Sequence, residues 1–275
     1  MDFVKFYRDG YKLSIDKRFQ GITKWLLENI YKKESHPFHT SRHSIVWKTY
    51  YPALGELFIK TFKSEGFLFK IKDLFRGSRA YRAWKAGEML ERNGFCAPEV
   101  VAIGEKRSFG LLQESFLVTL PVKGSSLMEV FPSLTSLKVK REMVYQLGRE
   151  IGKLHKFSII HGDLLPVNIF IVMAEGRCLV YLLDNERTKQ VSIIAAKHRI
   201  KNLVQLNRMV VPGITASDRI RFFDAYLEEN QSLKSNRNRI LKRIGEITVK
   251  RVMKHRKIPL EKRNGITFRA LMAWK

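Results

Sequence analysis

Near its middle the chain reads His161-Gly162-Asp163-Leu164-Leu165-Pro166-Val167-Asn168, and after two short apolar runs it reads Asp184-Asn185-Glu186. An aspartate and an asparagine five residues apart, followed by a second aspartate beyond a hairpin, are typical of phosphoryl-transfer sites. One carboxylate orients the attacking hydroxyl, while the amide and the second carboxylate hold Mg²⁺ against the nucleotide phosphates. The pattern therefore predicts Asp163 as the catalytic residue, and Asn168 and Asp184 as Mg²⁺ ligands.

The surroundings of this motif favour the catalytic interpretation over a simpler one, in which Gly and Asp merely form a turn. Apolar residues recur at helical spacing over 139–156 and lead into the motif, and two apolar runs around Ala174-Glu175-Gly176 predict a hairpin that ends at Asp184. The order and spacing match the catalytic loop and metal-binding aspartate of protein-kinase-like folds. We therefore expect an α+β, two-lobed protein-kinase-like fold with a small, mostly antiparallel β lobe and a larger helical lobe. Glu186 fits either a second metal or water ligand or a solvated turn residue.

The region before the motif fits the small lobe of such a fold. Stretches at 44–51 and 56–62 predict two strands joined by a turn, and a helix is expected over 78–92. Two further strands are predicted at 100–103 and 116–120.

Lys60 is the candidate for the lysine that pairs the nucleotide phosphates, because Phe58-Ile59-Lys60 places it on a predicted strand with apolar neighbours. Lys48 and Lys63 are rivals nearby, since lysine is common in this chain. Glu88 is nominated as the carboxylate that pairs with this lysine, because it is one of two acidic residues in the predicted helix.

Three further residues are predicted to bind the nucleotide. Ser41 lies in the loop expected to cover the phosphates, residues 39–44, which contains no glycine and would have to use hydroxyls and backbone amides. Leu120 and Val122 lie where the last predicted strand of the small lobe ends.

The composition narrows the possible partners and location. The chain carries 51 Lys and Arg against 26 Asp and Glu, a formal net charge of +25 that favours polyanionic partners. Two cysteines, Cys96 and Cys178, provide neither a disulfide framework nor a zinc site, which indicates a reducing compartment. We recognise neither a signal peptide nor an apolar run long enough to cross a bilayer, so we expect a cytoplasmic location, in solution or on the membrane surface.

We divide the chain into four segments. Residues 1–38 are predicted as an N-terminal extension with an amphipathic helix over 16–33, residues 39–120 as the small nucleotide-binding lobe, and residues 121–232 as the helical catalytic lobe. Residues 233–275 form a basic C-terminal segment with three interpretations. It is a solvated helical face, a surface on anionic lipid with its isoleucines at the interface, or a nucleic-acid contact, which the lack of interleaved aromatic residues disfavours.

With these positions identified, the chain resembles the bacterial lipopolysaccharide kinases, the Kdo and heptose kinases of the lipopolysaccharide inner core. The resemblance runs from about Ser41 to Leu227 and rests on Phe58-Ile59-Lys60, Gly77-Ser78-Arg79-Ala80, Arg82-Ala83-Trp84, Asn93-Gly94-Phe95-Cys96-Ala97-Pro98, His161-Gly162-Asp163 to Asn168, Leu183-Asp184 and Asn202-Leu203-Val204-Gln205-Leu206-Asn207. The sequence departs from the pattern of this family in two places. Ala83 stands where some relatives carry a helix Glu, which concerns the partner of the lysine, and the loop expected to cover the phosphates contains no glycine. Only a brief polar stretch follows Asp184, which leaves little room for a peptide-seating segment and favours a small or glycan acceptor.

The resemblance implies an ATP- and Mg²⁺-dependent kinase that phosphorylates a heptose or Kdo hydroxyl of the lipopolysaccharide core at the inner face of the inner membrane. Its partners would be the core glycolipid and, through the basic C-terminal segment, an anionic membrane surface, while nucleic acid is not expected. The alternatives are another small-molecule phosphotransferase, a nucleotide-binding pseudokinase and, supported by charge alone, a nucleic-acid-binding protein.

Overall fold

The computed structural model describes residues 3–8, 10–29, 37–41, 43–63, 66, 73–174, 177–208 and 211–255. These residues form two compact units. Unit one comprises the described residues up to Lys123 together with Asp184–Arg187, and unit two comprises those of Gly124–Leu183 and from Thr188 onward. Lys60 and Asp184 therefore belong to unit one, whereas Asp163 and Asn168 belong to unit two.

Unit one is built on an antiparallel β-sheet. Its strands are β1 (Phe3–Arg8), β2 (Tyr11–Asp16), β3 (His39–Thr40), β4 (Ser44–Tyr51), β5 (Gly55–Phe62), β6 (Val100–Ser108) and β7 (Leu111–Thr119). Within the described part of the chain their spatial order is β1-β2-β6-β7-β5-β4-β3. Alternating apolar side chains bury one face of this sheet, and the core includes Leu13, Ile15, Leu57, Ile59, Phe116 and Val118.

The helix predicted over 78–92 is confirmed as α2 (Arg79–Arg92), which follows the short helix α1 (Thr23–Asn29) in the chain. It begins after Ser78, whose hydroxyl oxygen accepts a hydrogen bond from the backbone N–H of Tyr81 at 3.0 Å, as an N-cap does. It ends at Asn93, and Gly94 follows with a φ of +80°, a conformation that favours glycine.

The N-terminal region differs from its prediction. Strands β1 and β2 pair in antiparallel register, and β2 pairs with β6, so residues 3–8 and 11–16 are part of the sheet of unit one. Of the helix expected over 16–33, Thr23–Asn29 is α-helical, Lys17–Ile22 is a 3₁₀ helix, and residues 30–33 lie outside the described residues. The Asp-Gly pair at residues 9 and 10, flanked by alternating apolar positions, is the hairpin signal that would have indicated this.

Unit two combines short strands with most of the helices. Its strands are β8 (Ser125–Ser126), β9 (Ile159–Ile160), β10 (Ile169–Ala174), β11 (Arg177–Leu182) and β12 (Lys189–Gln190). Its helices are α3 (Leu127–Ser133), α4 (Leu137–Lys156), α5 (Ala196–Asn207), α6 (Ala216–Glu229) and α7 (Arg237–His255). The predicted hairpin is confirmed, because β10 pairs with β11 in antiparallel register and β11 leads to Leu183 and Asp184.

Helices α4 and α6 pack closely because two glycines of α4 face α6. A Cβ atom added at Gly148 would lie 2.3 Å from the backbone oxygen of Phe222, and one at Gly152 would lie 2.9 Å from that of Tyr226. The short distance between the two backbones brings polar side chains of α4 and α6 within hydrogen-bond distance of each other, and these side chains support the candidate site.

Helix α7 contains the described part of the basic C-terminal segment. Ile244 and Met253 of this helix are buried, whereas Arg239, Lys242, Arg243, Lys250 and Lys254 are exposed. Since Ile244 is buried in the protein, it is not available to a bilayer as the lipid interpretation of this segment required. None of the described helices is long and apolar enough to cross a membrane.

Candidate active site

The predicted catalytic loop lies in unit two between β9 and β10. Two hydrogen bonds within the loop stabilise its turn. The backbone N–H of Leu165 and the side-chain amide nitrogen of Asn168 both donate to the backbone oxygen of Asp163, at 2.8 and 2.9 Å. The amide oxygen of Asn168, the atom predicted to bind the metal, takes no part in this contact. The loop is also joined to the end of β11, since the N–H of Leu183 donates to the backbone oxygen of Asn168 at 2.8 Å.

His161 braces this loop. The ring is buried, its Nδ1 accepts a hydrogen bond from the N–H of Asp163 at 3.2 Å, and its Nε2 lies 3.0 Å from the backbone oxygen of Leu183. An imidazole that accepts at Nδ1 and donates at Nε2 is neutral. His161 therefore connects the catalytic loop to the segment before Asp184.

Two residues of α5 contact the catalytic loop, although the sequence analysis gave them no role. The amide nitrogen of Gln205 donates to Oδ1 of Asp163 at 3.0 Å, and that of Asn202 donates to the backbone oxygen of His161 at 2.6 Å. Both side chains are buried. The signal in the sequence is their spacing, because two amides three residues apart lie on one helix face.

The lysine centre of unit one, defined here as Lys60, Asp184 and Glu186, contains the predicted phosphate-pairing lysine. The Lys60 ammonium contacts the Asp184 carboxylate and lies 3.0 Å from Oε2 of Glu186. Burial opposes the charged form of Lys60, but the carboxylates of Asp184 and Glu186 more than compensate and raise the pKa of its ammonium. Burial also raises the pKa of Glu186, and the charge of Lys60 counteracts this increase.

The structure contradicts the predicted pair of Lys60 and Glu88. The Glu88 carboxylate is ion-paired with Lys85 of the same helix at 2.9 Å, and Glu186 occupies the position next to Lys60 that Glu88 was expected to take. The buried residues of α2 are Ala80, Ala83, Ala86, Gly87 and Leu90, so Glu88 lies outside its buried face. Of the two interpretations of Glu186, the solvated turn residue is disfavoured, because only 11% of its side chain is exposed and its carboxylate contacts Lys60.

Arg82 ties the turn that carries Asp184 and Glu186 to α2. Asp184 has a φ of +63°, and the 3₁₀ turn Asn185–Arg187 follows it. Arg82 donates from Nε to the backbone oxygen of Glu186 at 3.3 Å and from Nη1 to the backbone oxygen of Gly77 at 2.7 Å. The guanidinium thus links the turn, the start of α2 and the segment before it.

The remaining nucleotide-binding candidates stay predictions. The Ser41 hydroxyl oxygen accepts hydrogen bonds from the backbone N–H groups of His43 and Ser44, at 3.3 and 3.0 Å, so it stabilises the turn between β3 and β4. Leu120 is half-buried against the core of unit one, and Val122 is half-buried just beyond it.

Asp184 and Asn168 suit a magnesium ion in the chemistry of their donor atoms. Carboxylate and amide oxygens are hard ligands, and Mg²⁺ is commonly held by one or two carboxylates together with substrate phosphates. The assignment of these two residues as metal ligands stays a prediction.

The chain is similar to several known proteins. The model of the Lipopolysaccharide kinase (Kdo/WaaP) family matches residues 43–226. "Lipopolysaccharide core heptose(I) kinase WaaP" of Pseudomonas aeruginosa (strain PAO1) is 26% identical over 159 residues, 54% of this chain and 59% of that protein. "KEOPS complex subunit Bud32" of Pyrococcus abyssi is 45% identical over 58 residues, 21% of this chain and 23% of that protein. The chain thus spans less than two thirds of either curated relative.

A solved structure establishes the fold. The structure described as "WaaP in complex with acyl carrier protein" matches with a TM-score of 0.64 at 19% identity, covering 86% of this chain and 98% of that chain. This match confirms the predicted α+β protein-kinase-like fold. Because the family model covers more than half of the chain, the protein belongs to the lipopolysaccharide kinase (Kdo/WaaP) family, a family of phosphotransferases.

Proposed function

We propose that the protein is an ATP- and Mg²⁺-dependent kinase that transfers a phosphoryl group to a heptose or Kdo hydroxyl of the lipopolysaccharide core. The observation that carries this proposal is the catalytic loop of a family member, in which Asn168 closes the turn around Asp163 and Gln205 holds one oxygen of the Asp163 carboxylate. A carboxylate held by one oxygen has the other available to orient an acceptor hydroxyl.

Each residue has a defined role in this proposal. Asp163 accepts a hydrogen bond from the attacking sugar hydroxyl, aligns its oxygen with the phosphorus and takes up the proton as the new bond forms. Lys60 exchanges part of its contact with Asp184 and Glu186 for phosphate oxygens when the nucleotide binds. A magnesium ion held by Asp184 and Asn168 would neutralise charge on the phosphates. Positioning and electrostatic stabilisation supply most of the rate in such reactions.

The proposed location is the inner face of the inner membrane, where the protein binds peripherally to reach a glycolipid acceptor. The support for it is the exposed basic face of α7, which comprises Arg239, Lys242, Arg243, Lys250 and Lys254. Each basic side chain near an anionic surface contributes about 1 kcal/mol of attraction. Because Ile244 is buried in unit two, attraction by this helix depends on charge rather than on insertion.

The test is a transfer assay on purified protein with Mg-ATP and dephosphorylated core lipopolysaccharide in anionic vesicles, read by mass spectrometry. We expect a gain of one phosphate with the wild type and none with Asp163→Ala. The matched control is Asp224→Ala, which removes an exposed aspartate of unit two that pairs with Arg237 and should leave transfer intact. Raising the salt concentration should slow transfer to the vesicle-borne acceptor, because salt screens the basic face of α7.

A negative result would separate the alternatives. Nucleotide binding without transfer would favour another acceptor or a pseudokinase. Two features also favour the pseudokinase: the loop expected to cover the phosphates lacks glycine, and the Ser41 hydroxyl is hydrogen-bonded within its own turn. Absence of both transfer and nucleotide binding would refute the kinase proposal.

A further inference from the structure

A continuous set of buried polar side chains ends on the Asp163 carboxylate. We propose that Gln205, held by Asn202, is a positioning residue for Asp163, and that hydrogen bonds reaching back through His155 and Tyr226 to Arg199 determine its orientation. We call these five residues the Asp163 hydrogen-bond chain. The inference rests on the proposed function, because it assumes that Asp163 orients the acceptor hydroxyl.

Backbone carbonyl groups determine how the two amides are oriented. A carbonyl oxygen only accepts hydrogen bonds, so the atom of Asn202 that lies 2.6 Å from the backbone oxygen of His161 is its nitrogen. The same nitrogen donates to Oε1 of Gln205 at 2.9 Å. The nitrogen of Gln205 then donates to the backbone oxygen of Gly162 at 3.3 Å and to Oδ1 of Asp163 at 3.0 Å. Asn202 therefore compels Gln205 to present its donor to Asp163.

The orientation of Asn202 also determines which nitrogen of His155 carries the proton. The oxygen of Asn202 only accepts, so His155 Nε2, at 3.2 Å, is the donor. Burial lowers the pKa of His155 to about 4, so the ring is neutral at pH 7 and its Nδ1 is an acceptor. The Tyr226 hydroxyl donates to this Nδ1 at 2.9 Å and accepts from Nη1 of Arg199 at 3.3 Å. Every donor in the chain thus points from Arg199 towards Asp163.

Burial makes this arrangement rigid. His155, Asn202 and Tyr226 have 0% of their surface exposed and Gln205 has 5%, so these groups depend on one another rather than on water for hydrogen bonds. Hydrogen bonds aligned in series polarise one another, which strengthens the last donor. Because Gln205 is neutral, it holds Oδ1 of Asp163 without forming an ion pair, and the other carboxylate oxygen is the one that orients the sugar hydroxyl.

The first test replaces the Gln205 amide with an apolar group of similar length, Gln205→Met, and measures kcat and the KM for Mg-ATP in the vesicle assay. Loss of a hydrogen bond to a charged group corresponds to about a 10- to 100-fold fall in kcat. The KM for Mg-ATP should change less than about twofold, because a positioning role affects the attacking hydroxyl rather than nucleotide binding. The matched control is Gln146→Met, which removes an exposed amide that bonds Glu142 on α4.

A second pair of variants tests the remote part of the chain. Tyr226→Phe removes the donor to His155 and should lower kcat about two- to ten-fold, the effect of one neutral hydrogen bond. Tyr145→Phe, the control, removes a hydroxyl that bonds Glu228 at the surface of the same two helices and should leave kcat unchanged.

The outcomes separate this inference from the proposed function. If the wild type transfers phosphate, Asp163→Ala does not, and Gln205→Met keeps its kcat within about twofold, the inference is wrong and the proposed function stands. A fall in kcat accompanied by a lower melting temperature and a raised KM for Mg-ATP would indicate a structural role and would also overturn it. A wild type without transfer activity would refute both together.

Discussion

The lysine centre of unit one and the Asp163 hydrogen-bond chain of unit two are held in place by opposite means. In the lysine centre, charged groups face one another and are partly open to solvent, with 21% of the Lys60 side chain exposed. In the hydrogen-bond chain, the neutral and buried side chains of Tyr226, His155, Asn202 and Gln205 lead to Asp163 from the half-buried guanidinium of Arg199. Ion pairs suit the exchange of partners that we propose for Lys60 on nucleotide binding, whereas buried directional hydrogen bonds suit the fixed orientation that we propose for the Asp163 carboxylate.

Lowering the pH should lower the free energy of unfolding of unit two, because His155 is buried in its neutral form. The unfolded chain binds a proton on this histidine below about pH 6.5, whereas the buried ring binds one only near pH 4. Between these values the unfolded state holds more protons, so the free energy of unfolding falls as the pH drops, by about 3 kcal/mol in total. Urea unfolding followed by circular dichroism at several pH values should show this loss in the wild type and a shallower loss in His155→Gln.

The control for this measurement is His39→Gln, which replaces an exposed histidine of unit one. It should show the pH dependence of the wild type. If the free energy of unfolding depended equally on pH in His155→Gln and His39→Gln, the interior of unit two would not hold a neutral histidine. The difference between the charged lysine centre and the neutral buried side chains that lead to Asp163 would then be refuted.

Replacing a helix glycine with alanine should change the free energy of unfolding in opposite directions in the two units. In Gly148→Ala, the new Cβ would lie 2.3 Å from the backbone oxygen of Phe222 and would push α4 and α6 apart, which lowers the free energy of unfolding by about 2 kcal/mol. In Gly87→Ala, on α2, no atom of the described residues outside the backbone and chain neighbours of this part of the helix lies within 4 Å of the new Cβ. The better helix former therefore raises the free energy of unfolding by about 0.5–1 kcal/mol. Thermal melts of both variants test the signs.

The variants Gly148→Ala and Gly87→Ala should also differ in kcat. Separating α4 from α6 would lengthen the contact of His155 with Tyr226, so Gly148→Ala should also lower kcat. Gly87→Ala should leave it unchanged. A stable Gly148→Ala with full activity would show that the close approach of α4 and α6 is not needed.

A last pair of variants distinguishes two possible partners of Lys60. Glu186→Gln keeps an oxygen beside Lys60 but removes its charge, and Asp184 alone then balances the ammonium, so we expect kcat/KM for Mg-ATP to fall about tenfold. Glu88→Gln removes a carboxylate that pairs with Lys85 and should have little effect. A larger loss in Glu88→Gln than in Glu186→Gln would contradict the observed lysine centre.

The sequence was most informative where local rules decide the structure. The bounds of α2 and the β10–β11 hairpin follow from residues close in the chain, and both were predicted. The partner of Lys60 was missed because the turn after Asp184, which starts with a positive φ, brings a carboxylate from far along the chain to the lysine. Likewise, Gln205 reaches Asp163 only through the packing of α5 against the loop, which periodicity alone does not show.

The N-terminal hairpin was missed for a different reason. Apolar residues at helical spacing over 16–33 predict a helix, and this prediction left out the Asp-Gly pair that precedes them in the sequence. Such a pair between alternating apolar residues is a strong signal for a β-hairpin. The contribution of β1 and β2 to the sheet of unit one, by contrast, depends on pairing between β2 and β6, which lie far apart in the chain.

The position of Glu186 has a consequence for inhibitor design. Protein kinases pair their phosphate-binding lysine with a glutamate on a helix, and the position of that helix controls whether the pair forms. In this protein the partner lies on the turn after Asp184, and Arg82 of α2 is hydrogen-bonded to that same turn. A compound that selects protein kinases by displacing the helix glutamate would find no such group to displace on α2, whereas one that bonds Glu186 would discriminate in favour of this enzyme.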